Sequence, residues 1–202
     1  MELALIDAIG PFFRGYQRRR INWSKIPFSH LATAGPGRAA QWSVIRADLD
    51  VFAREAAGLG FNAVSLDDVA HLSDHPWLEA EVRARNAVFR EEFRRLFVLL
   101  RSRQLRIYLT ADFLTTSAAV DERLGSRTGA ASAWFGEVVA ACLDDFPEVE
   151  GIILRIGEAD GKDVKDPLRS RLAARSAREV NRLLRVLIPL FERRERRLIF
   201  RT

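Results

Sequence analysis

Five short apolar runs recur along the chain, separated by stretches with helical periodicity. Short runs rich in β-branched and aromatic residues, bounded by glycine or polar residues, are typical of β-strands. The runs are INWSKIPF (21–28), NAVSL (62–66), RIYLTA (106–111), GIILRI (151–156) and RLIFR (197–201). We therefore predict five strands.

Four amphipathic helices are predicted between these runs. In each, apolar residues return every three or four positions, which places them on one helical face. The helices are predicted within residues 43–60, 77–103, 131–146 and 171–194. Regular alternation of strands and helices predicts an α/β fold with a parallel sheet, and we expect residues 1–202 to form a single domain.

Two parallel α/β architectures fit this pattern, an open doubly wound sheet and a (β/α) barrel. The last run ends the sequence as RLIFRT, without a helix to cover it. An open parallel sheet needs both faces buried, whereas a complete barrel typically takes about 250 residues. We therefore expect an incomplete (β/α) barrel of about five β/α units, the N-terminal portion of a larger barrel.

Composition excludes several classes of protein. The single cysteine, Cys142, allows neither an internal disulfide nor a cysteine-based metal cluster, and its apolar neighbours predict a core position. No secretory signal or membrane-length apolar run is found, so we expect a cytoplasmic protein.

The net charge is +5, but the arginines alternate with acids, as in FREEFRR and FERRERR. That pattern is typical of solvated helix faces, so neither nucleic acid nor a membrane is predicted as a partner.

Polar residues collect where the predicted strands end. The second strand leads into Asp67, Asp68 and His71, the third into Asp112, and the fourth into Arg155, Glu158 and Asp160. Parallel α/β folds assemble their sites at the carboxyl ends of strands. The predicted strand starts carry no comparable set, so we place a candidate site at the carboxyl edge.

Each candidate has a structural interpretation as well. Asp67 is predicted to be a helix N-cap, His71 to lie on a helix surface, and Glu158 could cap a loop and face water. Arg155 lies inside an apolar strand, and a buried arginine needs a carboxylate partner. Asp112, on the neighbouring strand, is a candidate partner.

Nucleotide, serine-hydrolase and zinc chemistry are not predicted. The sequence has no G-x-x-x-x-G-K-[ST] loop, no G-x-G-x-x-G after a strand and no G-x-S-x-G elbow. Its three histidines have no usual zinc spacing. The LDD pair could hold Mg²⁺ in a receiver-like open sheet, although that fold places its pair after the first strand. We predict no metal or cofactor.

The strand ends FPEVEGIILRIGEADG, RIYLTADF and LIFRT resemble those of bacterial glycoside hydrolases of the α-glucuronidase-like type. The resemblance implies a (β/α)8 barrel whose general-acid glutamate follows strand four, at the position of Glu158. It also implies sugar contacts at Asp68 and Asp112. Two departures are Gly157, where many related barrels have asparagine, and the missing chitinase-type D-x-E. In that family the partner carboxylates lie on later strands, which this sequence does not include.

The sequence thus predicts a glycoside-hydrolase-like domain that binds carbohydrate. Glu158 would protonate the glycosidic oxygen, and four residues would position sugar hydroxyls or a carboxylate: Asp68, Asp112, Arg155 and Asp160. Without its partner carboxylate, little turnover is expected. The alternative is a non-enzymatic α/β domain that binds a ligand or partner and uses Arg155–Glu158 as a structural ion pair. Open barrel edges would favour self-association.

Overall fold

A sheet of five parallel strands forms the centre of the protein. The computed structural model describes residues 2–16, 25–125, 128–157, 159 and 165–201. The strands are β1 (Leu5–Asp7), β2 (Ala63–Leu66), β3 (Arg106–Asp112), β5 (Val149–Arg155) and β7 (Arg197–Arg201), in that spatial order. Two short strands, β4 (Thr115–Thr116) and β6 (Arg169–Ser170), form a separate antiparallel pair. The fold is therefore α/β with strands that follow one another across the sheet as they do along the chain.

Helices connect the strands. They are α1 (Gly37–Gly58), α2 (Ala80–Ser102), α3 (Ala118–Leu124), α4 (Thr128–Asp145) and α5 (Ala177–Arg193). Along α2, Phe89, Phe93, Phe97 and Leu100 are fully buried at the predicted spacing. Cys142 on α4 is buried among apolar side chains, as predicted. Within the described residues, no helix is both long and apolar enough to cross a bilayer.

The run 21–28 was predicted to be the first strand of the sheet, and this prediction is wrong for the part that the structure describes, residues 25–28; residues 21–24 lie outside the described residues. The sheet begins at Leu5–Asp7, which pairs in parallel with β2. Within the run 21–28, residues 25–27 form a loop and Phe28 begins a short 3-10 helix that ends at His30. Pro27 has no N–H to donate to a strand ladder, and the Ile26 N–H is bonded to the Asp67 carboxylate instead. We call residues 25–31 the strap, because this segment crosses the carboxyl edge of the sheet.

The helices pack against one face of the sheet. The main core combines buried residues of every helix with strand residues such as Val64, Leu109 and Leu154. The opposite face carries a separate cluster built on Ala63, Tyr108 and Ile153, to which no residue of the described helices contributes. Strand side chains alternate between faces. Strand residues that lie an even number of positions from a member of this second cluster therefore share its face of the sheet, which we call the inner face.

A close approach of two strands requires glycine at position 151. Gly151 lies opposite Arg197 in the pairing of β5 with β7. A Cβ atom there would overlap the Arg197 carbonyl oxygen and lie 2.9 Å from Cε1 of Tyr108. The obstruction is backbone, so it cannot be relieved by rotating a side chain.

Gly151→Ala should therefore lower the free energy of unfolding by about 1–3 kcal/mol or more, since overpacking a well-ordered interior costs that much. Gly58→Ala is the matched control, because a Cβ there meets nothing within 4 Å and alanine is favoured over glycine in a helix. Urea denaturation measures both variants. Equal stability of Gly151→Ala and wild type would contradict the close approach.

Candidate functional site

A pocket opens on the inner face toward the carboxyl ends of the strands. Its volume is about 470 Å³, within the range of small-molecule sites. Aliphatic residues of β1, β5 and β7 line its apolar part, among them Leu5, Ile153 and Ile199. Its polar lining comprises Asp7, Asp67, Thr110, Arg155 and Arg201. Carboxylates, guanidinium groups and a hydroxyl therefore surround an apolar floor.

Arg155 joins the ends of three strands. It is the last residue of β5 and is only 2% exposed. Its Nε donates to Oδ1 of Asp112 at 2.5 Å, and its Nη2 lies 3.3 Å from Oδ1 of Asp67. Asp112 is directly opposite Arg155 in the β3–β5 register. The predicted Arg155–Asp112 pair is therefore confirmed, with Asp67 as a second carboxylate.

The strap supplies another cation to this cluster. Lys25 forms an ion pair with Oδ2 of Asp112, and the Ile26 N–H donates to Oδ2 of Asp67 at 2.5 Å. Two buried carboxylates thus face two cations, which compensates the desolvation of the charges. In this arrangement both oxygens of Asp112 are engaged by protein cations, and Asp112 is not among the residues lining the pocket.

Asp67, rather than Asp68, faces the pocket. On β2, Ala63 and Ser65 lie on the inner face, and Asp67, two residues further along the chain, lies on the same side. Its Oδ1 also accepts the Thr110 hydroxyl at 2.5 Å. Burial raises the pKa of Asp67 to about 6, against the opposing charge of Arg155. The prediction of Asp67 as an N-cap is wrong: the following 3-10 helix, Ala70–Leu72, has Val69 at that position.

Asp68 belongs to a second charged cluster. Its Oδ1 accepts hydrogen bonds from the backbone N–H of His71 at 2.9 Å and from the ring Nδ1 at 2.6 Å. The other ring nitrogen, Nε2, lies 3.3 Å from Oδ1 of Asp166. Although burial opposes it, the charges of Asp68 and Asp166 raise the pKa of His71 to about 9. His71 is buried, so its predicted place on a helix surface is wrong.

Glu158 and Asp160 lie outside the described residues. The connection that carries them leaves β5 at Arg155 and is described again from Lys165. On its return, Asp166 is held by His71 and by Arg85, whose Nη2 donates at 2.7 Å. The β4–β6 pair then joins this connection to the segment after β3. Both ends of the connection are therefore fixed by buried charges or backbone pairing.

Sequence reasoning missed Asp7, and it gave Asp67 and His71, which it had placed at the carboxyl edge, the roles of a helix cap and a surface residue. Asp7 ends the true first strand and accepts a hydrogen bond from the Ser65 hydroxyl across the β1–β2 pair. Counting by twos from Ala63 would have selected Asp67 over Asp68. The sequence has no comparable signal for His71, since Asp166 lies far along the chain.

Comparison with known proteins does not identify a family. No family, no curated protein and no solved structure matches the chain. The functional interpretation therefore rests on the residues of the pocket and of its surrounding loops.

Removal of the Arg155 charge should destabilise the fold. Arg155→Met removes the cation that Asp112 and Asp67 share, and breaking a buried ion pair from one side costs about 3–5 kcal/mol. Arg103→Met is the control, because Arg103 pairs with Asp50 where their side chains are 39% and 32% exposed. Such a surface pair contributes at most about 1 kcal/mol. Denaturant unfolding distinguishes the two, and equal losses would contradict the role given to Arg155.

Proposed function

We propose that this chain forms the first five β/α units of a (β/α) barrel. Two observations support the proposal. The parallel strands follow sequence order without the reversal of a doubly wound sheet. The described helices contribute to the core on one face of the sheet only, whereas a doubly wound sheet carries helices on both faces. In a closed barrel the inner face would become the interior.

We propose further that the carboxyl edge binds a carbohydrate and that Glu158 is a general acid. The observation that carries this proposal is the position of Arg155, which lines the pocket and is locked to Asp112 and Asp67. The segment leading to Glu158 therefore starts from a fixed point beside the pocket. Preorganised starting points of this kind are what a catalytic side chain on a loop needs.

The lining of the pocket suits a polyhydroxylated ligand. A sugar hydroxyl both donates and accepts, so it can bond to carboxylates and guanidinium groups at once. Asp67 keeps acceptor capacity on Oδ2, which receives one backbone N–H among the described contacts. We assign to Asp67 the hydroxyl contact that the family resemblance suggests for Asp68. Arg155 and Asp160 retain the positioning roles proposed from the sequence, and Asp112 acts by orienting Arg155.

In the proposed reaction Glu158 donates its proton to the glycosidic oxygen as the bond to the anomeric carbon breaks. A second carboxylate must act as base or nucleophile on the opposite side of the sugar. By resemblance to the α-glucuronidase-like hydrolases, that group would come from a later strand of the barrel. Without that carboxylate, sugar is expected to bind with little turnover.

A non-enzymatic α/β binding domain is the second candidate. The burial of Arg155 favours it, because a side chain 2% exposed and engaged by two carboxylates has an evident structural task. In this case Glu158 would serve as a further structural partner or cap the connection after β5. The two candidates differ in whether the Glu158 proton is required for turnover.

Glu158→Gln tests the catalytic role in a version of the protein that includes the partner carboxylate. The substitution removes the transferable proton, so turnover of aryl glycosides with poor leaving groups should fall about 10²–10⁴-fold while sugar binding is largely kept. Glu150→Gln is the control, since Glu150 lies near the opposite end of the same strand and faces Arg101 at 3.8 Å. Wild-type turnover in Glu158→Gln would exclude Glu158 as the acid.

We also propose that the 202-residue chain associates with itself. β1 and β7 are the outer strands of the described sheet, and unpaired strand edges promote association. Phe200 on β7 is 38% exposed, so Phe200→Glu should weaken association by placing a charge at that edge. Light scattering over a range of concentrations measures the effect. A stable, compact wild-type monomer at high concentration would contradict the proposal.

A further inference from the structure

The His71 ring is bonded at both nitrogens by carboxylates from distant parts of the chain. Nδ1 is 2.6 Å from Oδ1 of Asp68, just after β2, and Nε2 is 3.3 Å from Oδ1 of Asp166, in the connection after β5. The three side chains are each at most 8% exposed. A ring between two carboxylate acceptors is best matched by the imidazolium form, which donates from both nitrogens.

Aromatic packing fixes the plane of this ring. Phe28 of the strap stacks on His71 with ring centres 3.8 Å apart and an angle of 5° between the planes. Phe89 of α2 approaches the same ring edge-on at 6.3 Å. A cation over an aromatic face gains further electrostatic stabilisation. The strap, α2 and the segment after β2 therefore all restrict where the ring nitrogens point.

Asp166 is the group that this ring holds. Its Oδ1 also accepts from Arg85 Nη2 at 2.7 Å and from the Leu168 backbone N–H at 2.9 Å. Immediately afterwards, Leu114 and Arg171 exchange backbone hydrogen bonds of 3.1 and 2.9 Å beside the β4–β6 pair. The returning end of the connection is thereby attached to α2, to the segment after β2 and to the segment after β3.

We propose that His71 is a positioning residue: by holding Asp166 against Asp68, it anchors residues 165–171, the returning end of the connection after β5, to the segment after β2. The anchoring itself follows from the contacts of His71. Its consequence for catalysis, the placement of Glu158, rests on the proposed function.

The charges around His71 make the anchor sensitive to the protonation of the ring. Asp68 and Asp166 face it directly, Arg85 shares Asp166, and Arg155 acts electrostatically on Asp68. Against the effect of burial, His71 holds the pKa of both aspartates below their ordinary values. The raised pKa of His71, about 9, places loss of the anchor on the alkaline side of neutrality. Deprotonation leaves one ring nitrogen without a proton to donate.

Hydrogen exchange followed by mass spectrometry tests the anchor in the whole chain. His71→Gln keeps a polar side chain but cannot bridge both carboxylates with a planar cation. Exchange in peptides covering 165–171 should rise at least tenfold at neutral pH while peptides from β3 and β5 stay protected. His30→Gln is the control, because the described contacts of the His30 ring are a long one of 3.4 Å to the Arg14 carbonyl and an edge-on packing against Tyr16, neither of them to a carboxylate. Unchanged exchange over 165–171 in a folded His71→Gln would overturn the proposal.

Asp166→Asn tests the same contact from the side of the connection and serves if His71→Gln does not fold. It should produce the same local rise in exchange. It should also lower the midpoint at which the His71 ring titrates in NMR spectra, because one of the two flanking charges is gone. A purely steric role for Asp166 would leave that midpoint unchanged, and this result would contradict the proposal.

The wild-type ring provides a further readout. At neutral pH both ring nitrogens should show imidazolium shifts, and exchange over 165–171, corrected for its intrinsic pH dependence, should rise through the midpoint of the ring titration. A His71 that is neutral at pH 7 would overturn the proposal. The two proposals can be rejected independently of each other. Wild-type turnover in Glu158→Gln would reject the catalytic role of Glu158 without affecting the hydrogen-exchange test of the anchor.

Discussion

The buried guanidinium of Arg155 is the constraint on which the carboxyl edge of this protein depends. A charge removed from water must be met by opposite charge and by hydrogen bonds, or the fold is strongly destabilised. Asp112 and Asp67 meet it from β3 and from the end of β2. The two carboxylates in turn require Lys25 and the Ile26 N–H, which holds the strap across the sheet. One buried arginine thus links three strand ends and the segment that covers them.

The two aspartates after β2 divide the carboxyl edge into two charged clusters. Asp67 points to the inner face and joins Arg155, whereas Asp68 is bonded to His71 beside α2. The clusters also share the strap, since Ile26 bonds Asp67 and Phe28 stacks on His71. The connection carrying Glu158 leaves from the first cluster at Arg155 and returns to the second at Asp166. Both ends of this connection are therefore held by the two neighbouring aspartates after β2: Arg155 pairs with Asp67, and Asp166 is joined through His71 to Asp68.

The described helices pack on one face of the sheet, and the pocket opens on the other. The inner face carries only a small apolar cluster, and its residues become polar toward the carboxyl ends of the strands. Side chains there can combine an apolar floor with charged groups fixed by the backbone register. Under the proposed function, this arrangement would bind a ligand with many hydroxyl groups and would support a catalytic residue on the adjoining connection.

The sequence by itself determined the elements whose signals are local. Four of the five predicted strand runs and the helices between them are present, because hydrophobic periodicity reports burial directly. It also indicated that Arg155 needs a carboxylate and offered Asp112 as a candidate, which the structure shows to be a partner. Only the tertiary structure decided that Leu5–Asp7, not the run 21–28, begins the sheet, that Asp67 rather than Asp68 meets Arg155, and that His71 is buried. Each of these depends on a partner far along the chain, such as Asp166 for His71, and a local pattern carries no information about which distant residue will meet it.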